Sequence, residues 1–199
     1  MNMNDDFEKQ IDNWIETGKL NNSVFKLLEN RDIFQDTLMQ LTEVFLQNKN
    51  CLTEDDVYIL SAIIGEIGNN SFDHNLGSWP KVRGTILGYV SKNSFVKIVL
   101  ADQGQGILDT LKKVKPELKN DKEALKVAFT EIVSGRAPES RGNGLKFVKQ
   151  SIKSKKMHLT FISGQAQVDI NQKMRIKENK KHIAGCVAII TMNCKKNEN

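Results

Sequence analysis

The sequence predicts an α/β domain preceded by a helical segment. Apolar residues recur at helical spacing over residues 53–74 and 144–152. Strand patterns occupy residues 85–101 and three short stretches between residues 159 and 192. The 199 residues are enough for one substantial core and an extension. No apolar run approaches the roughly 20 residues that span a bilayer, so we expect no membrane segment.

The charge balance is basic, with a formal net charge of +5 and a pI near 9.0. A solvated surface accounts for this excess. Nucleic acid is not expected as a partner, because the basic residues are neither clustered arginines nor interleaved with aromatic residues. Much of the excess lies within residues 153–156, 173–181 and 195–196.

The three cysteines, Cys51, Cys186 and Cys194, form no CxxC motif and no metal-ligand spacing. We interpret them as free thiols, which are typical of a reducing compartment. The acidic and polar first residues do not fit a secretory signal. Together these features predict a cytoplasmic protein.

Residues 1–52 are predicted to form an N-terminal helical extension that packs on the core or on a partner. A turn is expected over residues 18–23, between two helical patterns. The apolar residues at helical spacing are Phe7, Ile11, Trp14 and Ile15 in the first pattern, and Phe34, Leu38, Leu41, Phe45 and Leu46 in the second.

A long helix is predicted from a capping box at Thr53 and Asp56 to about His74. Glu66, Asn70 and His74 recur every four residues beside its buried stripe, so their side chains follow one side of the helix. Such a row of polar groups is suited to line a pocket. The buried stripe consists of Val57, Leu60, Ile64 and Ile67.

Glu66 and Asn70 offer the groups that a metal–triphosphate site needs. Mg²⁺ takes oxygen ligands and keeps several waters, so the carboxamide oxygen of Asn70 can be its protein ligand. The carboxylate of Glu66 can orient or deprotonate a water or hydroxyl that attacks a phosphate. Taken alone, this segment is explained somewhat better by two exposed polar groups of a surface helix.

Two strand patterns, over residues 85–90 and 95–101, predict an antiparallel hairpin. The second strand leads to Asp102, whose carboxylate can accept a hydrogen bond from an exocyclic amine such as that of adenine. The missing side chains at Gly104 and Gly106 let a flat ring approach the backbone. Alone, an ordinary acidic turn after a strand would explain the pattern better.

Residues 108–141 are predicted to form a mobile lid between two glycine motifs. Helical patterns cover residues 108–115 and 121–134. Pro116, Gly135 and Pro138 interrupt or end them, which allows the segment to bend.

The glycine turn of Gly142 and Gly144 opens another helix, which is expected to run to residue 152. Free backbone N–H groups at a helix N-terminus bind phosphate. Arg141 and Lys146 flank the turn and can neutralise phosphate charge. A glycine-rich loop with two surface cations remains the alternative interpretation.

Taken together and in this order, the three segments resemble the N box and the two glycine boxes of the GHKL ATPase superfamily. That group includes the ATP-binding domains of sensor histidine kinases and of gyrase, and the bacterial anti-sigma serine kinases. The GxxxxGK[ST] and GxGxxG motifs do not occur. The matching residues are Glu66, Asn70 and His74, then Asp102, Gly104, Gly106 and Ile107, and finally Gly142, Gly144 and Leu145.

The resemblance implies a two-layer α/β sandwich of the Bergerat type over residues 53–193, with a mixed sheet, helices on one face and a flexible tail at 194–199. It also implies that the domain binds ATP with Mg²⁺. Asn70 would hold the metal, Glu66 would be the catalytic carboxylate, and Asp102 would bond to the adenine amine. Gly104 and Gly106 would shape the adenine pocket, Gly142, Gly144 and Leu145 would close on the phosphates, and His74, Ile107, Arg141 and Lys146 complete the expected nucleotide-binding residues.

The expected function is that of a regulatory ATPase or protein kinase in signal transduction, acting on a protein partner. Because residues 1–50 contain no phospho-acceptor histidine, the chain is more similar to the anti-sigma kinases than to a complete histidine kinase. The main alternative is a non-catalytic, ATP-gated interaction module. A nucleic-acid-associated ATPase is the weakest alternative, and the sequence leaves open whether the chain forms a homodimer.

Overall fold

The computed structural model describes residues 3–20, 24–47, 51–75, 79, 82–92, 94–132 and 143–194. Six helices and five strands lie within these residues. In chain order they are α1 (Met3–Thr17), β1 (Phe25–Leu28), α2 (Arg31–Gln47), α3 (Glu54–Asn75), β2 (Thr85–Lys92), β3 (Phe95–Asp102), α4 (Gly106–Lys112), α5 (Asp121–Thr130), α6 (Gly144–Ser154), β4 (His158–Ile170) and β5 (Met174–Asn193).

The five strands form one sheet in the order β1-β2-β3-β5-β4. Every pairing within it is antiparallel, so the prediction of a mixed sheet is wrong. The reason lies in the last hairpin. Strands β3 and β4 point the same way, as expected when helices connect two strands, but β5 turns back from β4 and lies between them.

Helices α2, α3, α5 and α6 cover one face of the sheet and share its main core, which confirms the predicted α/β architecture. The alternation along β3 divides its side chains between two faces. Ile98 and Leu100 belong to the main core, whereas Val99 and Ala101 contact a separate apolar cluster on the opposite face. Helix α1 covers that second face through Phe7, Ile11, Trp14 and Ile15.

The predicted helical extension contains a strand. Residues 25–28 form β1, which pairs with β2 at the edge of the sheet. Phe25 packs with α1 and Leu28 packs in the main core, so this strand contributes to both faces. Four residues are too few for strand periodicity to show in the sequence. Because α2 also contributes Phe34 and Phe45 to the main core, residues 25–47 share that core with residues 53–193. The boundary at residue 52 stays a prediction.

The capping box that begins α3 is confirmed. Thr53 Oγ1 accepts a hydrogen bond from Asp56 N at 3.2 Å, and Asp56 Oδ2 accepts one from Thr53 N at 3.3 Å. The helix then runs to Asn75, one residue beyond the predicted end. This helix carries all three N-box residues on continuous backbone.

The predicted lid contains α4 and α5. Leu125 and Phe129 of α5 are fully buried in the main core, and the Phe129 ring meets that of Phe161 edge-on at 5.5 Å. These side chains are part of the core in this structure, and the mobility of residues 108–141 stays a prediction. Residues 133–141 lie outside the described part of the chain.

The C-terminal strands are longer than predicted. The stretches 159–163 and 167–170 belong to one strand, β4, with a register irregularity between Ser163 and Ala166. Strand β5 begins at Met174, eleven residues before its predicted start. The alternation that predicts a strand is obscured there, because all six residues from 177 to 182 are polar. No helix among the described residues is long and apolar enough to cross a membrane.

The prediction of three free thiols is wrong. Cys51 and Cys194 form a disulfide across 143 residues of sequence, and Cys186 remains free. Cys194, expected in a flexible tail, also donates its N–H to Ser94 O at 2.9 Å. Because the two cysteines are so distant in sequence, their spacing does not indicate that they pair. The cytoplasmic assignment rested partly on free thiols, and it stays a prediction.

We predict that reducing this disulfide destabilises the fold by about 2–4 kcal/mol, because the bond restricts a very long loop of the unfolded chain. Urea unfolding with and without dithiothreitol measures the change. A double Cys51→Ser, Cys194→Ser variant is the control, and reductant should leave its stability unaltered. Equal stability of the oxidised and reduced wild type would contradict the prediction.

Candidate functional site

A cavity of about 90 Å³ lies between the C-terminal half of α3, the end of β3 and the beginning of α6. Its apolar walls include Ile67, Leu111 and Phe161. The structure brings together most of the residues that the sequence predicted for a site. Those that line the cavity are Asn70, His74, Asp102, Gly106, Ile107, Gly144 and Leu145.

The carboxylate of Asp102 forms the polar end of this cavity and is only 2% exposed. Its Oδ2 accepts a hydrogen bond from Ser71 Oγ at 2.8 Å. Its Oδ1 accepts bonds from Gly104 N at 2.8 Å and from Asn75 Nδ2 at 3.3 Å. A carboxylate has about four acceptor positions. The backbone N–H of Cys186 is a fourth donor to this carboxylate. A ligand amine would therefore share a carboxylate oxygen that already accepts a hydrogen bond from the protein.

Asn75 joins α3 to the glycine loop that follows β3. Besides donating to Asp102, its side chain accepts a hydrogen bond from Gln105 N at 2.9 Å. A Cβ added at Gly104 would overlap the amide of Asn75. The absence of a side chain at Gly104 therefore makes room for Asn75. Gly104 does not line this cavity, so the ring approach inferred from the sequence has no counterpart at Gly104.

Burial shifts the ionisation of several groups around the cavity. It raises the pKa of Asp102, and the donated hydrogen bonds oppose part of that shift. It lowers the pKa of His74, and the nearby charge of Lys113 lowers it further. It also raises the pKa of the Cys186 thiol, with the Asp102 charge as the second cause. His74 thus faces the cavity as a neutral ring at neutral pH.

The N-terminus of α6 lies against the N-box residues of α3. A Cβ on Gly144 would be 2.5 Å from Glu66 Oε2 and 3.7 Å from Asn70 Nδ2, so the helix N-terminus adjoins both side chains. Asn143 precedes the helix and its side chain forms no capping hydrogen bond. The Asn143 side chain therefore does not cap the first N–H groups of α6, and Gly144 and Leu145 of this turn line the same cavity as Asn70.

The remaining predicted residues are less closely tied to the cavity. Glu66 is exposed and does not line it, although it adjoins Gly144. Lys146 is half-buried on α6 and also lies outside the lining. Arg141 and Gly142 fall outside the described residues.

The structure adds residues that the sequence analysis missed. Ser71 and Asn75 hold Asp102, and they follow the N-box residues Asn70 and His74 by one position each. A search for a second i, i+4 polar pair on α3 would have found them. Phe161 and Cys186 come from β4 and β5, and no local motif marks them because only strand pairing brings them to the site.

Similar solved structures include a sensor histidine kinase and a gyrase ATPase domain. The chain has 13% identity to a mycobacterial sensor histidine kinase, MprB, with a TM-score of 0.41 over 81% of this chain and 95% of that one. It has 15% identity to the 43K ATPase domain of Thermus thermophilus gyrase B in complex with an aminocoumarin, with a TM-score of 0.36 over 68% of this chain. It spans about a third of that gyrase chain, since the match covers 33% of it.

No family model matches the sequence, and no curated protein matches it either. At these identities and TM-scores, the two structural similarities do not identify the function of the chain.

We predict that Gly104→Ala destabilises the protein by about 1–3 kcal/mol, because the new methyl group overlaps the Asn75 amide. In an Asn75→Ala background the same substitution should lower the free energy of unfolding by less, with a difference on the order of 1 kcal/mol. Urea unfolding of the wild type, the two single variants and the double variant measures the coupling free energy between Gly104 and Asn75.

Gly65→Ala on α3 is the matched control, because its Cβ would lie 3.4 Å from Leu38. That substitution should be neutral or stabilising, since alanine favours a helix more than glycine does. Equal costs of Gly104→Ala in the two backgrounds would contradict the assigned packing of Asn75.

Proposed function

We propose that the chain is an ATP-binding domain of the GHKL type, which binds Mg-ATP and acts as a regulatory ATPase or protein kinase on a protein partner. The observation that carries this proposal is the buried carboxylate of Asp102, which lines one end of an apolar cavity. The carboxylate suits an exocyclic amine, and the apolar walls suit the flat heterocycle that carries it.

Adenine fits this description better than guanine. Its 6-amino group can donate to Asp102, whereas guanine carries a carbonyl at that position and would set two acceptors against each other. The apolar walls, including Ile67 and Ile107, suit the faces of a ring. The cavity of about 90 Å³ is below the roughly 300–1,000 Å³ of complete ligand sites, so it would enclose the base and leave the phosphates towards α6.

The phosphates would extend towards the N-terminus of α6, whose uncapped N–H groups and positive dipole end favour anions. Asn70 lines the cavity on the same side and would supply an oxygen to Mg²⁺. The metal would neutralise the charge of the phosphate oxygens. Glu66 adjoins Gly144 and would act on a water or a hydroxyl group at the terminal phosphate.

A second candidate function is that of a non-catalytic, ATP-gated interaction module. Glu66 is exposed, and within the described part of the chain it forms no hydrogen bond or ion pair that would orient its carboxylate. A general base is usually held by a neighbouring group. This feature favours nucleotide binding without turnover until a partner orients Glu66.

We predict that the protein binds ATP in preference to GTP, and that Asp102→Asn weakens ATP binding by about 1–3 kcal/mol. The asparagine would present a donor or a neutral acceptor where the adenine amine needs the carboxylate. Calorimetric titrations with both nucleotides in the presence of Mg²⁺ measure the effect.

Asp36→Asn removes the same charge from the exposed surface of α2 and should leave ATP binding unaltered. Circular dichroism establishes that both variants are folded. Equal affinities of the wild type for ATP and GTP would refute the assignment of the base to Asp102.

We predict different effects for the two N-box residues. Asn70→Ala should remove the Mg²⁺-dependent part of ATP affinity, because a metal ligand is lost. Glu66→Ala should leave ATP affinity close to that of the wild type, and should lower turnover or phosphotransfer by roughly 10²–10⁴-fold.

Calorimetry with and without Mg²⁺, together with release of labelled phosphate, separates the two effects. Unchanged turnover in Glu66→Ala would exclude Glu66 as the catalytic group. Tight ATP binding by a wild type that shows no turnover, alone or with partner proteins, would favour the gating module.

A further inference from the structure

A second cavity, of about 490 Å³, lies beside the first, and the loop from Gly104 to Gly106 forms one of its walls. Gly106 borders both cavities, whereas Gln105 faces only this one. The other walls come from α4, the beginning of α5, and the irregular region of the β4–β5 hairpin. This volume lies within the range of small-molecule sites, and nothing in the proposed ATP site uses it.

The apolar part of the second cavity includes an aromatic ring. Trp79 lines the cavity, and its ring packs against that of Phe72, with the ring centroids 6.2 Å apart. Leu108 and Ile183 add further apolar surface. A ligand with a flat apolar body can therefore pack against this wall.

Two carboxylates give the second cavity its charge. Asp109 lies on α4 and forms no hydrogen bond or ion pair with any described residue. Asp121 begins α5, and its Oδ2 accepts a hydrogen bond from Gln165 N at 2.9 Å. A Cβ on Gly164 would overlap the Asp121 carboxylate, so the glycine in β4 makes room for this carboxylate in the wall.

No lysine or arginine is among the described residues that line this cavity, and His182 is the remaining ionisable one. The neighbouring Lys113 already donates to Gln105 Oε1 at 3.0 Å. The carboxylates are therefore not neutralised by ion pairs. They disfavour an anion such as a triphosphate and favour a cation.

We propose that the second cavity is a binding site for a small organic cation, an ammonium group attached to a flat apolar body. The ammonium group bonds to Asp109 and Asp121, which are charge-assisted acceptors. The apolar body lies on Trp79, whose ring face also attracts a positive charge. The cation binds independently of ATP, which occupies the first cavity.

The two tryptophans of the chain make the test direct. The indole N–H of Trp79 reports on the second cavity in a ¹⁵N–¹H NMR spectrum. Trp14 belongs to α1, is 1% exposed and does not line the second cavity, so it is an internal control. The probes are phenethylamine and its neutral analogue 2-phenylethanol, titrated without nucleotide.

Phenethylamine should shift the Trp79 resonance saturably and leave that of Trp14 in place, and 2-phenylethanol should bind much more weakly. Asp109→Asn and Asp121→Asn should each raise the Kd of phenethylamine by about three- to tenfold. Asp36→Asn should leave it unaltered. Because asparagine keeps the size and an acceptor oxygen, both variants should give wild-type NMR spectra elsewhere.

The proposal is overturned if the Trp79 resonance stays in place up to the solubility limit of the amine. It is also overturned if both probes bind equally, or if the aspartate variants bind phenethylamine as the wild type does. The result is independent of the ATP assignment, because no nucleotide is present and Asp102 is not altered.

Discussion

The buried carboxylate of Asp102 is the group on which the geometry of the site depends. A carboxylate at 2% exposure must be satisfied by hydrogen bonds, because burial otherwise disfavours its charge. Ser71 and Asn75 of α3 and the N–H of Gly104 provide them. These contacts fix the C-terminal end of α3 to the end of β3. Gly185 of β5 completes the arrangement, since a Cβ there would overlap the backbone of Asp102.

The position of the glycine loop follows from this anchoring. Asn75 accepts from Gln105 N, and the side chain of Gln105 donates to His74 O, so two hydrogen bonds tie the loop to α3. Ser163 accepts from Ile107 N at 3.0 Å and ties its other end to β4. A loop held at both ends can serve as a fixed wall for two cavities. The first has a polar end made by one buried carboxylate, and the second is lined by two carboxylates.

Sequence reasoning was most accurate where the signal is local. The capping box at Thr53, the hairpin β2–β3 and the helix that begins at Gly144 are each defined by neighbouring residues, and the structure has all three. The predicted cavity residues of α3 and of the loop after β3 also come together, because one helix and one strand position them.

The features that the sequence did not predict depend on tertiary contacts. Strand β1 is four residues long and is stabilised by the sheet edge and by two apolar clusters. The Cys51–Cys194 disulfide joins residues that only the complete fold brings together. The packing of Gly104 could not be predicted either, because the amide that occupies its Cβ position belongs to Asn75, 29 positions earlier in the chain.

The central claim is that the Asp102 cavity binds adenine and that α6 receives the phosphates. A crystal structure of the protein with Mg²⁺ and a non-hydrolysable ATP analogue tests it most directly. We expect the adenine amine within hydrogen-bond distance of Asp102, the metal beside Asn70 and the phosphates at the N-terminus of α6. An analogue bound elsewhere, or an adenine ring whose amine does not reach Asp102, would contradict the account.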